Sequence, residues 1–73
     1  MKNLKVRKPK ITLKSLRGLR NISQKSLGLA IGRSESTIIN WENGKSTMGI
    51  PDYFKIKEEL DPADEFFLEV KSS

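Results

Sequence analysis

The chain has 73 residues, a formal net charge of +5, and neither cysteine nor histidine. This length allows one small domain with a thin hydrophobic core. The two missing residue types exclude disulfides and thiolate chemistry, and they remove the commonest general base and the commonest transition-metal ligand. We therefore expect a protein that is not an enzyme and that uses no metal, cofactor or small-molecule ligand.

The charge is divided unevenly along the chain. Residues 1–33 hold ten basic and no acidic side chains, whereas residues 34–73 hold four basic and nine acidic ones. The basic half indicates a polyanionic partner, and the alternative is a solvated basic surface. No stretch is apolar enough to span a membrane, and the basic start lacks the apolar segment of a secretory signal. We expect a cytoplasmic protein of a bacterial cell.

The first elements in chain order are a basic arm and three short helices. Residues 1–11 are rich in Lys and Arg and contain Pro9, which predicts a flexible arm. The arm either wraps a polyanion or is a disordered, solubilising segment. Helices are predicted over residues 12–20, 24–31 and 35–42 from their apolar spacing. Their N-caps are Thr12, Ser23 and Ser34, and their C-terminal stops are Asn21, Gly32 and Asn43-Gly44.

Two further helices are predicted in the second half. Pro51 suits the first turn of a fourth helix that reaches Leu60. Asp61-Pro62 is a cap followed by a first-turn proline, which predicts a short fifth helix holding Phe66 and Phe67. The segment FFLEVKSS also alternates as a strand would, so the fifth helix could end early.

These elements predict an all-α fold of five short helices around one core, with a domain over residues 12–67 and a tail over 68–73. The predicted core residues are Leu13, Leu16, Leu27, Ile31, Ile38, Trp41, Tyr53, Leu60 and Phe67.

The segment SQKSLGLAIGRSESTIINWENG, residues 23–44, resembles the helix-turn-helix of the Cro/CI-type (XRE) repressor family. The family motif reads approximately SQ-x-x-LA-x-x-LG-x-S-x-STI-x-x-x-ENG. The resemblance implies a lambda-repressor-like DNA-binding domain of five helices, with the third helix in the major groove of double-stranded DNA. The groove is about 12 Å wide and admits one helix.

The resemblance also implies a role for individual positions. Base edges would be read by Ser34, Glu35, Ser36 and Asn40. Phosphates would be contacted by Gln24, Lys25, Arg33, Thr37, Asn43 and Lys45. Arg17 and Glu42 match a pair that forms a partly buried salt bridge in many members. Further attraction to DNA would come from Lys14, Arg20 and the arm.

Four positions depart from the family pattern or carry an alternative. Gly28 stands where alanine is usual, which keeps the close packing of the second and third helices and costs about 1 kcal/mol of helix propensity. Arg33 replaces a small apolar residue and is interpreted as a DNA contact rather than a neutral surface residue. Ile39 either packs or touches a thymine methyl group, and Glu35 either accepts from cytosine or supports the helix N-terminus.

Three functions are compatible with the sequence. The first is a sequence-specific repressor of phage or mobile-element type that binds a two-fold operator as a homodimer and is associated with the nucleoid. Its candidate dimer contacts are Phe66, Phe67, Leu68 and Val70. The second is an antitoxin-like protein-interaction module whose acidic half meets a basic partner. The third is the N-terminal domain of a longer repressor.

Overall fold

The structure of the protein is a computed structural model that describes residues 7–71. Within that range it contains four α-helices and two short β-strands. Their order is β1 (Lys10–Ile11), α1 (Leu13–Arg20), α2 (Gln24–Ile31), α3 (Glu35–Asn43), α4 (Ile50–Leu60) and β2 (Phe67–Leu68). Residues 1–6 of the predicted arm and residues 72–73 of the predicted tail lie outside the described range.

The first three helices are short because both of their ends are fixed locally. Before each helix a hydroxyl group accepts a hydrogen bond, 3.0–3.2 Å long, from the backbone N–H three residues later. These N-caps are Thr12, Ser23 and Ser34. Each helix ends at a residue with positive φ, which is 59° at Asn21, 75° at Gly32 and 76° at Gly44. Glycine and asparagine adopt this conformation most readily, so each predicted stop ends its helix.

The hydrophobic core joins all four helices to the second strand. Its most deeply buried side chains come from α1, α2, α3, α4 and β2, in that order: Leu16, Leu27, Ile38, Ile56 and Leu68. Most residues of the predicted core are buried, but Tyr53 is only half-buried. The placement of Phe67 in the core is wrong, because its side chain is 54% exposed. Successive strand residues point to opposite faces, so Leu68 takes the core position instead.

The predicted fifth helix is not formed. The chain instead makes a turn in which Asp64 N–H donates to the Asp61 carbonyl oxygen at 2.9 Å. Asp64 has φ 56°, a left-handed conformation that cannot continue a helix. The Asp61 carboxylate then accepts from the backbone N–H groups of Glu65 (2.8 Å) and Phe66 (3.0 Å). This carboxylate satisfies N–H groups that a fifth helix would have used, and the chain continues extended into β2.

The two strands form a parallel pair that ties together two distant parts of the chain. Lys10 lies opposite Phe67, and Ile11 lies opposite Leu68. Flanking bonds run from Phe67 N–H to the Pro9 carbonyl oxygen (2.9 Å) and from Glu69 N–H to the Ile11 carbonyl oxygen (2.8 Å). The end of the segment predicted as an arm and the start of the predicted tail are thus paired and packed on the helical core.

Candidate nucleic-acid interface

Helices α2 and α3 are joined by only three residues, Gly32, Arg33 and Ser34. The backbone N–H of Arg33 donates to the Gly28 carbonyl oxygen at 2.8 Å, which folds the turn back onto α2. A Cβ atom built on Gly28 would lie 2.6 Å from the Arg33 carbonyl oxygen. The turn therefore approaches α2 more closely at this point than the alanine usual in the family would permit.

The outer face of α3 is polar and carries little charge. Ser36, Asn40 and Asn43 follow one another at intervals of four and three residues, so they lie on one face of the helix. Ser36 and Asn43 are exposed and Asn40 is half-buried. Glu35 is exposed beside this face in the first turn of the helix, where its charge also favours the positive end of the helix dipole. Such a surface can hydrogen-bond to base edges but offers phosphates no cation.

Two residues predicted to contact DNA take part in the cap of α3. The Ser34 hydroxyl group accepts from Thr37 N–H at 3.2 Å and lies 2.9 Å from the Thr37 hydroxyl oxygen. The Ser34 side chain is exposed and Thr37 is half-buried. These bonds fix both hydroxyl groups at the start of the helix. Any hydrogen bond to DNA would therefore be made in addition to those of the cap.

A buried carboxylate connects α1, α2 and α3. Glu42 accepts from Arg17 Nε at 2.6 Å, from Arg17 Nη2 at 3.1 Å and from Gln24 Nε2 at 3.0 Å. Arg17 also donates to the Ile22 carbonyl oxygen at 2.9 Å. Burial alone would raise the pKa of Glu42, but the bonds from Arg17 and Gln24 outweigh it and lower the pKa. The Gln24 amide, predicted to bind phosphate, thus helps to orient α3 against α2.

Arg33 is held by a carboxylate that the sequence analysis did not identify. Its Nε and Nη2 atoms donate to the two oxygens of Asp52 in the first turn of α4, both at 2.9 Å. The hydrogen bonds to Asp52 raise the pKa of the guanidinium, and the attraction between the two opposite charges adds a smaller increase. The Nη1 group makes no hydrogen bond within residues 7–71, and the side chain is 49% exposed. Asp52 therefore fixes Arg33 on the turn and leaves one edge of the guanidinium toward solvent.

The remaining cations fall into two groups. Lys25 at the start of α2, Lys45 just after α3 and Lys14 in α1 are exposed, as a phosphate contact requires. Arg20 is instead turned toward the end of α4, where its Nε donates to the Leu60 carbonyl oxygen at 2.6 Å. Its Nη2 also lies 3.5 Å from a Glu65 carboxylate oxygen. The Arg20 side chain, which was expected to add to the attraction for DNA, thus makes its contacts within the protein.

Lys71 is a further residue of this region that was not among the predicted site residues. Its Nζ donates to the Glu42 backbone carbonyl oxygen at 2.9 Å, at the C-terminal end of α3. No sequence signal would have found this contact, because it spans 29 positions and depends on the path of β2. The one clue to Asp52 was its position after Pro51, which marks the first turn of a helix.

Within residues 7–71 no group of three or more His, Cys, Asp or Glu side chains could hold a metal ion. None of the helices in that range has the length and apolar character needed to cross a membrane.

Comparison with known proteins agrees with this geometry. A family described as Helix-turn-helix matches residues 13–65, which include all four helices. No curated protein and no solved structure gives a significant match. The matched range contains the tight α2–α3 turn, the polar face of α3 and the Arg17–Glu42 pair. The chain therefore belongs to the XRE-type (Cro/CI-type) helix-turn-helix family and is a DNA-binding regulator of that type.

Proposed function

We propose that this regulator is a sequence-specific repressor of phage or mobile-element type that binds a two-fold operator as a dimer. The observation that carries the proposal is the face of α3 that holds Ser36 and Asn40, with the predicted phosphate contact Asn43 at its end. Its side chains are small and polar, which suits hydrogen bonding to base edges in a groove that admits one helix. The protein would repress transcription by occupying the operator and thereby blocking RNA polymerase.

Attraction and discrimination are assigned to different residues in this proposal. Asn40 pairs with adenine through its amide, and Glu35 accepts from cytosine, so both discriminate between bases. Lys25 and Lys45 flank the α2–α3 unit and supply phosphate contacts that do not depend on sequence. Arg33 contributes a further phosphate contact through Nη1 while Asp52 holds its other edge.

A dimer is proposed because one helix-turn-helix reads only a few base pairs, and two-fold operators match two-fold proteins. The surface best suited to a second copy is an open groove of about 710 Å³ beside α4 and β2. We call its aromatic lining the aromatic patch, formed by Tyr53, Phe54, Phe66 and Phe67. Phe54 is 62% exposed and Phe67 54% exposed, and both line this groove. Contiguous exposed apolar surface is typical of interaction sites.

The rim of the aromatic patch carries both signs of charge. Lys8 and Asp64 form an ion pair with each other at this rim, and Glu58 lines it as well. A two-fold axis would bring the same surface of both copies together. The apolar side chains of the patch, rather than its charges, are therefore what a second copy would cover.

The antitoxin-like alternative loses support from the internal ion pairs. It requires acidic side chains in the second half that are available to a basic partner. Asp52 is bound by Arg33, and Lys57 binds both Asp61 at 2.6 Å and Asp64 at 2.8 Å. These three carboxylates act within the fold, whereas Glu58, Glu59 and Glu69 are exposed, so the internal ion pairs weaken the alternative only in part.

The substitution Asn40→Ala tests the base-reading role. We expect the variant to lose preference for the operator over unrelated duplexes while keeping weak binding to both, measured by fluorescence anisotropy at one fixed salt concentration. Lys25→Ala is the matched comparison, since it should weaken binding to every duplex about equally. If Asn40→Ala reduced binding to all duplexes by one common factor, Asn40 would not read bases.

A further inference from the structure

The segment after β2 returns to the end of the helix assigned to the major groove. Leu68 is 1% exposed and its strand pairs with β1, so the start of this segment is fixed on the core. Three residues later Lys71 Nζ donates to the Glu42 carbonyl oxygen at 2.9 Å. The last carbonyl groups of a helix lack partners within the helix, and a cation there also favours the negative end of the helix dipole. Lys71 therefore stabilises the end of α3, which is its structural role.

Lys71 also lines a hollow on the same side as two predicted phosphate contacts. This hollow has a volume of about 360 Å³ and lies where the N-terminal parts of α1 and α2 meet the C-terminal end of α3. Gln24 and Asn43, which the family resemblance assigns to phosphate, both line it. Lys14 lines it as well, so two exposed lysines from opposite ends of the chain border one depression.

The charges around the hollow leave it suited to an anion. Its lining contains two carboxylates, Glu42 and Glu69. Glu42 is neutralised from behind by Arg17, 2.6 Å away. The first turns of α1 and α2 contain no acidic residue, so the positive ends of both helix dipoles add to Lys14 and Lys71. Glu69 alone opposes an anion, and it is exposed to solvent, where its effect is screened.

We propose that Lys71 contacts a DNA phosphate, with Lys14 beside it, in the hollow at the end of α3. The ammonium group has three donors, of which one is used on the Glu42 carbonyl oxygen. This inference rests on the proposed function, in which α3 enters the major groove and brings the backbone past this hollow. It accounts for part of the attraction to DNA, since Arg20 is engaged by the Leu60 carbonyl oxygen and Asp52 occupies the Nε and Nη2 atoms of Arg33, which leaves only Nη1 for a phosphate.

The salt dependence of DNA binding tests the proposal. The logarithm of the binding constant falls with the logarithm of salt concentration, with a slope of about −0.9 per neutralised phosphate. We expect Lys71→Gln to make the slope shallower by about 0.9 and to weaken binding to every duplex by the same factor, while Lys71→Arg keeps both. Lys55→Gln is the matched control, because Lys55 is an exposed lysine of α4 that does not line the hollow.

Neutral methylphosphonates, placed one at a time along the operator, locate the partner phosphate. One position should weaken binding by the wild type but leave binding by Lys71→Gln unchanged. A thermal melt of each variant separates this role from the cap at the end of α3. A lower melting temperature with an unchanged salt slope would overturn the proposal and leave Lys71 as a cap only.

The same experiment distinguishes failure of the proposed function from failure of this inference. If the wild type showed no sequence preference but Lys71→Gln still made the slope shallower, the phosphate contact would be supported and the proposal of a sequence-specific repressor would be refuted. If the wild type showed sequence preference and the slope of Lys71→Gln matched that of Lys55→Gln, the repressor would stand and the contact would be refuted. Absence of any binding by the wild type would overturn both.

Discussion

At the scale of single residues, Glu42 connects the fold to the interface. Its carboxylate is the meeting point of Arg17 from α1 and Gln24 from α2, and its own backbone carbonyl accepts from Lys71. The Arg17 and Glu42 side chains are only 13% and 5% exposed. Each partner therefore needs the other, because an isolated buried charge is far costlier than a paired one. This arrangement connects α3 to α1, to α2 and to the segment after β2.

We predict that Glu42→Ala lowers the free energy of unfolding by about 3 kcal/mol, the range for breaking a buried ion pair by removing one partner. The reason is that Arg17 would keep its charge without a counter-charge. Thermal or urea unfolding followed by circular dichroism measures the loss. Glu59→Ala is the control, since Glu59 is exposed on α4. Equal stability of the two variants would show that the Arg17–Glu42 pair contributes nothing.

At the scale of elements, the close approach of the α2–α3 turn to α2 depends on the absence of a side chain at Gly28. An alanine Cβ there would lie 2.6 Å from the Arg33 carbonyl oxygen and 3.3 Å from the Ser34 carbonyl oxygen. Both neighbours belong to the backbone of the turn, so they can move only if the turn moves. The departure from the family's usual alanine thus has a steric cause.

We predict that Gly28→Ala and Gly18→Ala change stability in opposite directions. Alanine at either helical position gains about 1 kcal/mol of helix propensity. At Gly18 nothing lies within 4 Å of the added Cβ, so the melting temperature should rise. At Gly28 overpacking costs about 1–3 kcal/mol, so the melting temperature should fall despite the better propensity. A stabilised Gly28→Ala variant would mean that the turn relaxes without cost.

The turn after α4 is a second element held by one buried side chain. The Asp61 carboxylate is fully buried and accepts from Lys57 Nζ and from two backbone N–H groups. Burial by itself would raise the pKa of Asp61. The bonds from Lys57, Glu65 and Phe66 outweigh it and lower the pKa from 3.8 to about 2. The ionised form is therefore the one that the folded state binds.

This pKa predicts acid sensitivity of the fold. Because the folded-state value lies below the unfolded one, Asp61 contributes stability above about pH 4, and the contribution is lost as the pH falls from there through about 2. The stability of Asp61→Asn should be lower at neutral pH and should change less over the same acid range. Urea unfolding at several pH values measures both curves. Parallel curves for the two proteins would contradict the prediction.

The elements that the sequence predicts well are those with local causes. Ser23, Ser34 and Gly32 determine the ends of α2 and α3 through atoms within a few residues, so their pattern could be interpreted directly. Asp61-Pro62 is compatible with either a helix start or a turn. The choice depends on the pairing of β2 with β1, more than fifty positions away in the sequence, which no local pattern contains. The Asp52 partner of Arg33 was missed for the same reason, since it lies 19 positions away.

At the scale of the whole molecule, DNA reading and self-association are assigned to different surfaces. The α3 face belongs to the helix-turn-helix, whereas the aromatic patch belongs to α4, the turn and β2. Phe67 is exposed because the segment after α4 is a strand rather than a helix. Strand β2, which forms in place of the predicted fifth helix, thus exposes Phe67 in the aromatic patch that is proposed as the dimer contact.

We predict that Phe54→Ser and Phe67→Ser weaken dimerisation without unfolding the protein. Both side chains are more than half exposed, so the core loses little. Leu29→Ser is the control, since Leu29 is 76% exposed on α2, away from the aromatic patch. Sedimentation equilibrium over a range of concentrations measures the association. A wild type that stays monomeric both free and on DNA, or equal loss in all three variants, would contradict the assignment.

The most direct test of the central claim is a selection from random duplex DNA at near-physiological salt, followed by sequencing of the bound pool. The account predicts a two-fold symmetric motif whose half-sites lie about one helical turn apart, since two copies of α3 read two adjacent major grooves. A bound pool with no enriched motif would contradict it, because the protein would then bind DNA through charge alone.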